Sequence, residues 1–464
     1  MQADSRKIIS ENIVADRSKL KIICVFLHRI YFGRIPYERQ YRGKKRKAMN
    51  ITELQQSYAS HPNVEGVCRL LKDNSVRHLY CGGLYASAAS LFSSVLVQRA
   101  TCPLVFILGD MEEAGYFYHD LTQILGTEQV LFFPSSFRRA IKYGQKDAAN
   151  EILRTEVLSR LQKGEEGLCV VTYPDALAEK VVSRKELGEN TLKLHAGERV
   201  DMNFVTDVLR SYGFEYVDYV YEPGQYAVRG SIIDVFSFSS EYPFRIDFFG
   251  DEVESVRTFE VETQLSKEKK ESIVIVPDLS HSLEKKGSGG MVSFLDFLPS
   301  DSLLAMRDFL WLRERIQTVH DESLTPQAIA ARESEENGAI TLEGKLIDGG
   351  EFTLRALDFR RSNKPTGTPD ATVSFHTTVQ PIFHKNFDMV AESFREYLSR
   401  HYTIYICSDS LKQTDRIRAI FEDRGDNISF TAVERTLHEG FADDTLRICV
   451  LPTISCSTAF TSIT

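Results

Sequence analysis

The spacing of apolar positions changes twice along this chain. From 50 to about 182, short continuous apolar runs at 76–81, 104–108, 130–133 and 168–173 alternate with helix-spaced stretches such as 111–125 and 147–161. Such runs, rich in β-branched and aromatic residues, suit strands buried on both faces. Strands alternating with helices imply a parallel sheet with right-handed crossovers. The pattern predicts an α/β domain whose first part is 49–189. From about 190 the period becomes that of half-buried strands. Asp201 is placed to cap a helix over 202–212 that stops at Gly213, and strands follow at 215–221, 225–238, 244–249 and 252–259. This predicts a small α+β unit with an antiparallel sheet over 190–276, inserted before the chain returns to α/β over 277–361 through a strand at 273–277.

A Pro, Gly, Ser and Thr-rich stretch at 362–372 is expected to be a linker. Beyond it, a helix at 387–401, a strand at 403–407 and a helix at 411–422 predict a further small α/β domain over 373–450. Residues 451–464 show neither helical nor strand periodicity and are expected to be an aberrant or truncated tail. Residues 1–48 are expected to be a disordered basic extension, with 13 Lys and Arg against 4 Asp and Glu, net +9. Either this arm touches nucleic acid, or Met49 is the start of the folded protein. Since the whole chain carries −9, residues 49–464 carry −18, which argues against sequence-independent DNA binding by the body. The eight cysteines are scattered, with no paired spacing of a disulfide framework or zinc site, and are expected to be reduced. The apolar stretch 22–32 is too short to span a bilayer, and the expected location is the cytoplasm.

Directly after the first buried strand comes Gly83-Leu84-Tyr85-Ala86-Ser87-Ala88-Ala89-Ser90, followed by a helix. Strand, glycine loop and helix N-terminus are the arrangement of a phosphate loop, G-x-x-x-x-G-K-[ST]. Here Gly83 and Ser90 hold the outer positions, but Ala88 stands for the second glycine and Ala89 for the lysine. Alanine supplies no charge for the β- and γ-phosphates, and a Cβ at 88 restricts the backbone cradle. The strand ending at Met306 leads into Arg307-Asp308-Phe309 rather than the paired acids of a Walker-B element. A vestigial site without bound nucleotide or metal is expected.

The segment Phe244-Arg-Ile-Asp-Phe-Phe-Gly250-Asp251-Glu-Val-Glu-Ser-Val-Arg-Thr-Phe259 has a two-residue hairpin turn between alternating strands. A regular register pairs Phe249 with Glu252, Asp247 with Glu254 and Arg245 with Val256. Phe244, Ile246, Phe248, Val253 and Ser255 then face the core. Arg245, Asp247, Phe249, Glu252, Glu254 and Val256 face the other way. An exposed aromatic beside an arginine has the composition of a protein-binding hot spot. Two readings stay open: Phe249 free for a partner, or Phe249 covered by another domain with Arg245 paired only to Asp247 or Glu254. Arg229 precedes Gly230, which marks a bulge or a close backbone approach.

The runs Tyr221-Glu-Pro-Gly-Gln-Tyr-Ala-Val-Arg-Gly-Ser-Ile-Ile-Asp-Val-Phe236 and Pro243-Phe-Arg-Ile-Asp-Phe-Phe-Gly-Asp-Glu-Val-Glu-Ser-Val-Arg257 resemble the signature shared by the excision-repair protein UvrB and the Mfd family of transcription-repair coupling factors. The resemblance extends from about Asn50 to Cys449. The altered loop at 83–90 favours the Mfd family, because UvrB keeps a working phosphate loop. The short distance from Pro134 to the helix at 147 leaves little room for the DNA-clamping hairpin of UvrB. The resemblance implies a P-loop-NTPase-like domain carrying an inserted UvrA-binding-type domain. It implies that UvrA is bound through Arg229, Arg245 and Phe249, two of which the hairpin register places on one face. It also implies that RNA polymerase, double-stranded DNA, ATP and magnesium belong to domains outside this sequence, leaving a non-enzymatic recruiting region. The rival expectations are a UvrB-like DNA-dependent ATPase and a DNA-binding protein acting through the basic arm.

Overall fold

In a computed structural model, the structure describes residues 48–453 apart from 74, 137–147, 279–290, 307 and 308, 324–355, 361–367, 382, 384 and 385. The chain divides into two compact units, 1–47 and 48–464, of which the first lies outside the described residues together with the basic-arm readings. The Walker-B comparison at 307–308 and the expectation of little room for a UvrB-type hairpin before 147 also fall on residues outside them.

The larger unit is mixed α/β. Its centre is a seven-stranded sheet in the order Ala371–Ser374, His78–Gly82, Ala356–Arg360, Leu303–Met306, Leu104–Ile107, Cys169–Thr172, Val130–Phe133. Every pairing in it is parallel. Strands such as Leu104–Ile107 and Cys169–Thr172 are buried along their whole length, as continuous apolar runs require. Helix Ser87–Arg99 is buried on nearly all sides, packed against helices Ile51–Ala59 and Met111–Leu125. This accounts for its lack of amphipathic periodicity.

A second six-stranded sheet runs Ser266–Lys270, Glu252–Phe259, Phe244–Phe249, Ile232–Val235, Gln225–Arg229, Glu215–Tyr216. It is antiparallel except for the last pair. Helix Met202–Ser211, capped by the Asp201 carboxylate accepting from Asn203 N, buries Val205 and Leu209 with Ile233, Ile246, Phe248, Val253 and Val256. The expected single strand over 225–238 is instead a hairpin: Gly230 takes φ +62° and Arg229 pairs with Ile232 across a two-residue turn. Gly230 is therefore a turn residue rather than a bulge. The strand expected at 273–277 does not rejoin the parallel sheet. Ser272–Ile275 pairs antiparallel with Leu192–His195, so the two ends of the small unit are hydrogen-bonded to each other as a neck.

The third sheet has the order Met49–Asn50, Thr431–Glu434, Thr403–Ser408, Ile448–Pro452, Phe441–Asp443, Thr377–Val379. Met49–Asn50 pairs in parallel with Thr431–Glu434, so the start of the described chain closes the sheet built from its end. The compositional linker ends sooner than its Pro and Thr content suggests, because Ala371–Ser374 already pairs with His78–Gly82. The tail likewise begins later than its text suggests: Ile448–Pro452 is a strand buried along its length, and Leu451 is core. Burial between two neighbours, rather than alternation, hides this strand from a periodicity reading.

Candidate docking face and phosphate-loop position

The docking candidate is the polar face of the small antiparallel sheet. Gly250 adopts φ +61° at the first turn position, where a Cβ would be strained, and Phe249 lies opposite Glu252. The regular register ends there. Asp247 faces Ser255 while Phe248 faces Val253, so Glu254 is an extra residue in a β-bulge. Three readings are corrected by it: Arg245 lies opposite Arg257 rather than Val256, Asp247 opposite Ser255 rather than Glu254, and Val256 is in the core while Ser255 is not. The bulge is what allows Val253 and Val256, three positions apart, both to be buried. That spacing was the available signal.

On the other strand the expected alternation is present, with Phe244, Ile246 and Phe248 buried and Phe249 79% exposed. No ring contact engages the Phe249 side chain among the described residues. Arg245 is not on a wet face in the sense first expected, since its side chain is only 12% exposed. Its Nε and Nη2 donate to Asp234 Oδ1 and Oδ2 at 2.7 and 2.8 Å, and Nη1 donates to Gln264 O at 3.1 Å. Its guanidinium carbon lies 4.4 Å from the centre of the buried Phe259 ring. The Asp234 carboxylate holds the Arg245 guanidinium above its usual pKa against the opposing effect of burial. Arg229 donates through Nη2 to the same carboxylate and lies over Tyr219, 5.2 Å from ring centre.

Arg245 and Arg257 stand directly opposite, a repulsive arrangement relieved by an acid on either side. Asp234 serves the first, and Asp247 binds Arg257 Nη2 at 2.8 Å while accepting from Ser255 Oγ at 2.8 Å. Arg229, Arg245 and Phe249 thus share one face of the sheet, on the two strands that flank Ile232–Val235. Sequence reasoning missed Asp234, although a lone acid inside Ile-Ile-Asp-Val, three residues past a glycine turn that follows an arginine, was the signal.

At the phosphate-loop position, helix Ser87–Arg99 begins after Ala86, a non-glycine at φ +51° with no side-chain cap. The amides of Ala88 and Ala89 donate to Tyr85 O and Ala86 O at 3.1 and 3.2 Å, so they close on the loop's own carbonyls. The first turn instead meets the buried carboxylate of Asp120 from helix Met111–Leu125. Asp120 Oδ2 accepts from Ser87 Oγ at 2.6 Å and Ser90 Oγ at 3.0 Å, while Oδ1 accepts from His438 N at 2.7 Å. Glu439 N donates to Ser87 Oγ at 3.0 Å, and the Tyr116 and His438 rings stack at 3.5 Å. The adjoining cavity of about 370 Å³ is lined by Asp110, Glu112, Glu113, Asp120 and Glu439 and by no Lys or Arg. A nucleotide phosphate there would meet negative charge. Gly83, Ala88, Ala89 and Ser90 occupy their expected places, but the Ser90 hydroxyl is committed to Asp120. Among the described residues no cluster of His, Cys, Asp or Glu could hold a metal, no disulfide joins the cysteines, and no helix is long and apolar enough to cross a membrane.

Residues 192–281 match the family model of the UvrB interaction domain. The match begins at the first residue of the neck strand Leu192–His195 and runs past its partner Ser272–Ile275. The chain is 29% identical over 198 residues to the transcription-repair-coupling factor of Escherichia coli (strain K12), covering 42% of this chain and 17% of that protein. It is 30% identical over 196 residues to the factor of Bacillus subtilis (strain 168), covering 42% and 16%. It is 22% identical over 417 residues to that of Staphylococcus aureus (strain MRSA252), covering 78% and 35%. Over these stretches the chain is similar to the transcription-repair-coupling factors. It spans between about a sixth and about a third of the length of these coupling factors. The candidate docking face described above falls within the segment that matches this family model.

Proposed function

We propose that this chain acts as the UvrA-recruiting N-terminal region of a transcription-repair coupling factor, with Arg229, Arg245 and Phe249 forming the contact face. The observation that carries this reading is Phe249, an uncovered aromatic on the same sheet face as Arg229 and Arg245, inside the segment that matches the UvrB interaction domain. A solvated phenylalanine ring on a sheet face is unfavourable unless a partner covers it, and aromatic and arginine side chains dominate binding hot spots. Recruitment to stalled RNA polymerase, and ATP-driven movement on double-stranded DNA, belong in this reading to parts of the coupling factor beyond this chain.

The phosphate-loop domain is read as a scaffold that binds neither ATP nor magnesium and does no catalysis. Asp120 at the helix N-terminus and the acid-lined cavity support this against the UvrB-like ATPase reading. The test is capture of this chain by purified UvrA. Phe249→Ala and Arg245→Glu should each weaken capture, the first by about 2 kcal/mol, roughly thirtyfold in Kd. Capture unchanged in both folded variants, or DNA-stimulated ATP hydrolysis by the chain alone, would refute it.

A further inference from the structure

Asp234 has no part in the docking face as proposed, yet it touches both of its arginines. Its side chain is 1% exposed, on the strand between those that carry Arg229 and Arg245. Arg245 gives two nitrogens to this carboxylate and a third to Gln264 O, with Phe259 against its flat face. All three of its guanidinium nitrogens are therefore engaged within the chain. Arg229 differs. Its side chain is 36% exposed, it makes no hydrogen bond other than that to Asp234 among the described residues, and it is flanked by Tyr219, 50% exposed. A partner carboxylate can reach Arg229 without dismantling anything, whereas reaching Arg245 means breaking a forked pair.

Resting on the docking reading above, we propose that Asp234 is the positioning residue of this face: it fixes Arg245 as an immobile base and presents Arg229 to a carboxylate on the partner, beside the apolar pocket that receives Phe249. Two guanidiniums on one carboxylate leave a net charge of one, so the partner surface is acidic at this point and apolar next to it.

Charge and geometry make opposite predictions for Asp234→Asn. Removing the acid raises the positive charge of the face, so a charge-only account expects tighter binding to an acidic partner. The positioning account expects weaker binding, because both arginines lose their anchor. The experiment measures Kd for purified UvrA at two salt concentrations, with thermal melting of each variant. Asp234→Asn should bind about tenfold more weakly, and Arg229→Gln should flatten the salt dependence while leaving Tm near wild type. Arg245→Lys keeps the charge but cannot make the fork, and should also bind about tenfold more weakly. If Asp234→Asn fails to fold, Arg245→Lys decides. Folded Asp234→Asn binding as tightly as wild type or tighter overturns the proposal, as does unchanged binding by Arg245→Lys. Absence of wild-type binding overturns this proposal and the docking reading together. Wild-type binding that is insensitive to Asp234 overturns this one alone.

Discussion

Substituting Asp120 tests how firmly the phosphate-loop position is tied to the end of the chain. The carboxylate takes two hydroxyl donors, from Ser87 and Ser90, and the His438 amide, and its side chain is almost wholly buried. Asp120→Ala removes all three acceptor contacts. Hydrogen bonds to a charged group contribute about 1.5–3 kcal/mol each, and a stranded buried donor costs about 1–3 kcal/mol. The Ser90 hydroxyl can turn to a carbonyl one turn back at the helix start, so the three losses do not simply add. Together these give a loss of about 3–5 kcal/mol, in the range for breaking a buried charged network. Asp120→Asn keeps an oxygen for the His438 amide and loses charge at the helix N-terminus, for about 1–2 kcal/mol. Urea unfolding monitored by circular dichroism reads both values. If Asp120→Ala unfolds within about 0.5 kcal/mol of wild type, the carboxylate is a bystander and the reasoning fails.

Three other perturbations have definite outcomes. Burial raises the Asp443 carboxyl, but the His61 ring and the amides of Leu446 and Thr445 outweigh it and hold the pKa below its ordinary 3.8. That stability is present above the ordinary value and is lost as pH falls through the folded one, so Asp443→Asn should flatten the acid limb of a urea-midpoint profile below about pH 4; an unchanged slope counts against this. Gly250→Ala should cost about 1–2 kcal/mol at φ +61°, read as a lowered Tm, and Gly250→Asn should recover part of it. The Cys169 and Cys407 thiols, fully buried and raised by that burial, should resist alkylation in the folded chain while half-buried Cys68 and Cys102 label, as peptide mass spectrometry would report.

Local chemistry was readable in advance where neighbours in sequence decide it. The four buried strands between 76 and 173, the Asp201 cap and the turn at Gly250 each depend on a few adjacent residues. The bulge at Glu254 was missed because strict alternation was imposed on Val253-Glu-Ser-Val256. The partner of Arg245 was sought two residues away or across the turn, and it lay eleven positions back at Asp234. Nothing near Asp120 in sequence signals Ser87, Ser90 or His438, since 318 positions separate it from the last of these. Long-range polar pairs leave no periodic trace, which is why the candidate site residues were legible as types and not as a network.

The pairing of Met49–Asn50 with Thr431–Glu434 bears on the order in which the chain becomes native. Every strand contact of the small antiparallel sheet and its neck forms within residues 192–275, so that unit closes small loops and can complete itself as soon as it leaves the ribosome. The parallel-sheet body cannot. Tyr58, His61 and Asp120 all wait for Asp443 or His438, made nearly four hundred residues after the first of them. A ribosome halted before residue 431 would therefore hold a finished antiparallel sheet, with its proposed contact face, on an unfinished support, with buried acids and hydroxyls still in water and open to chaperones.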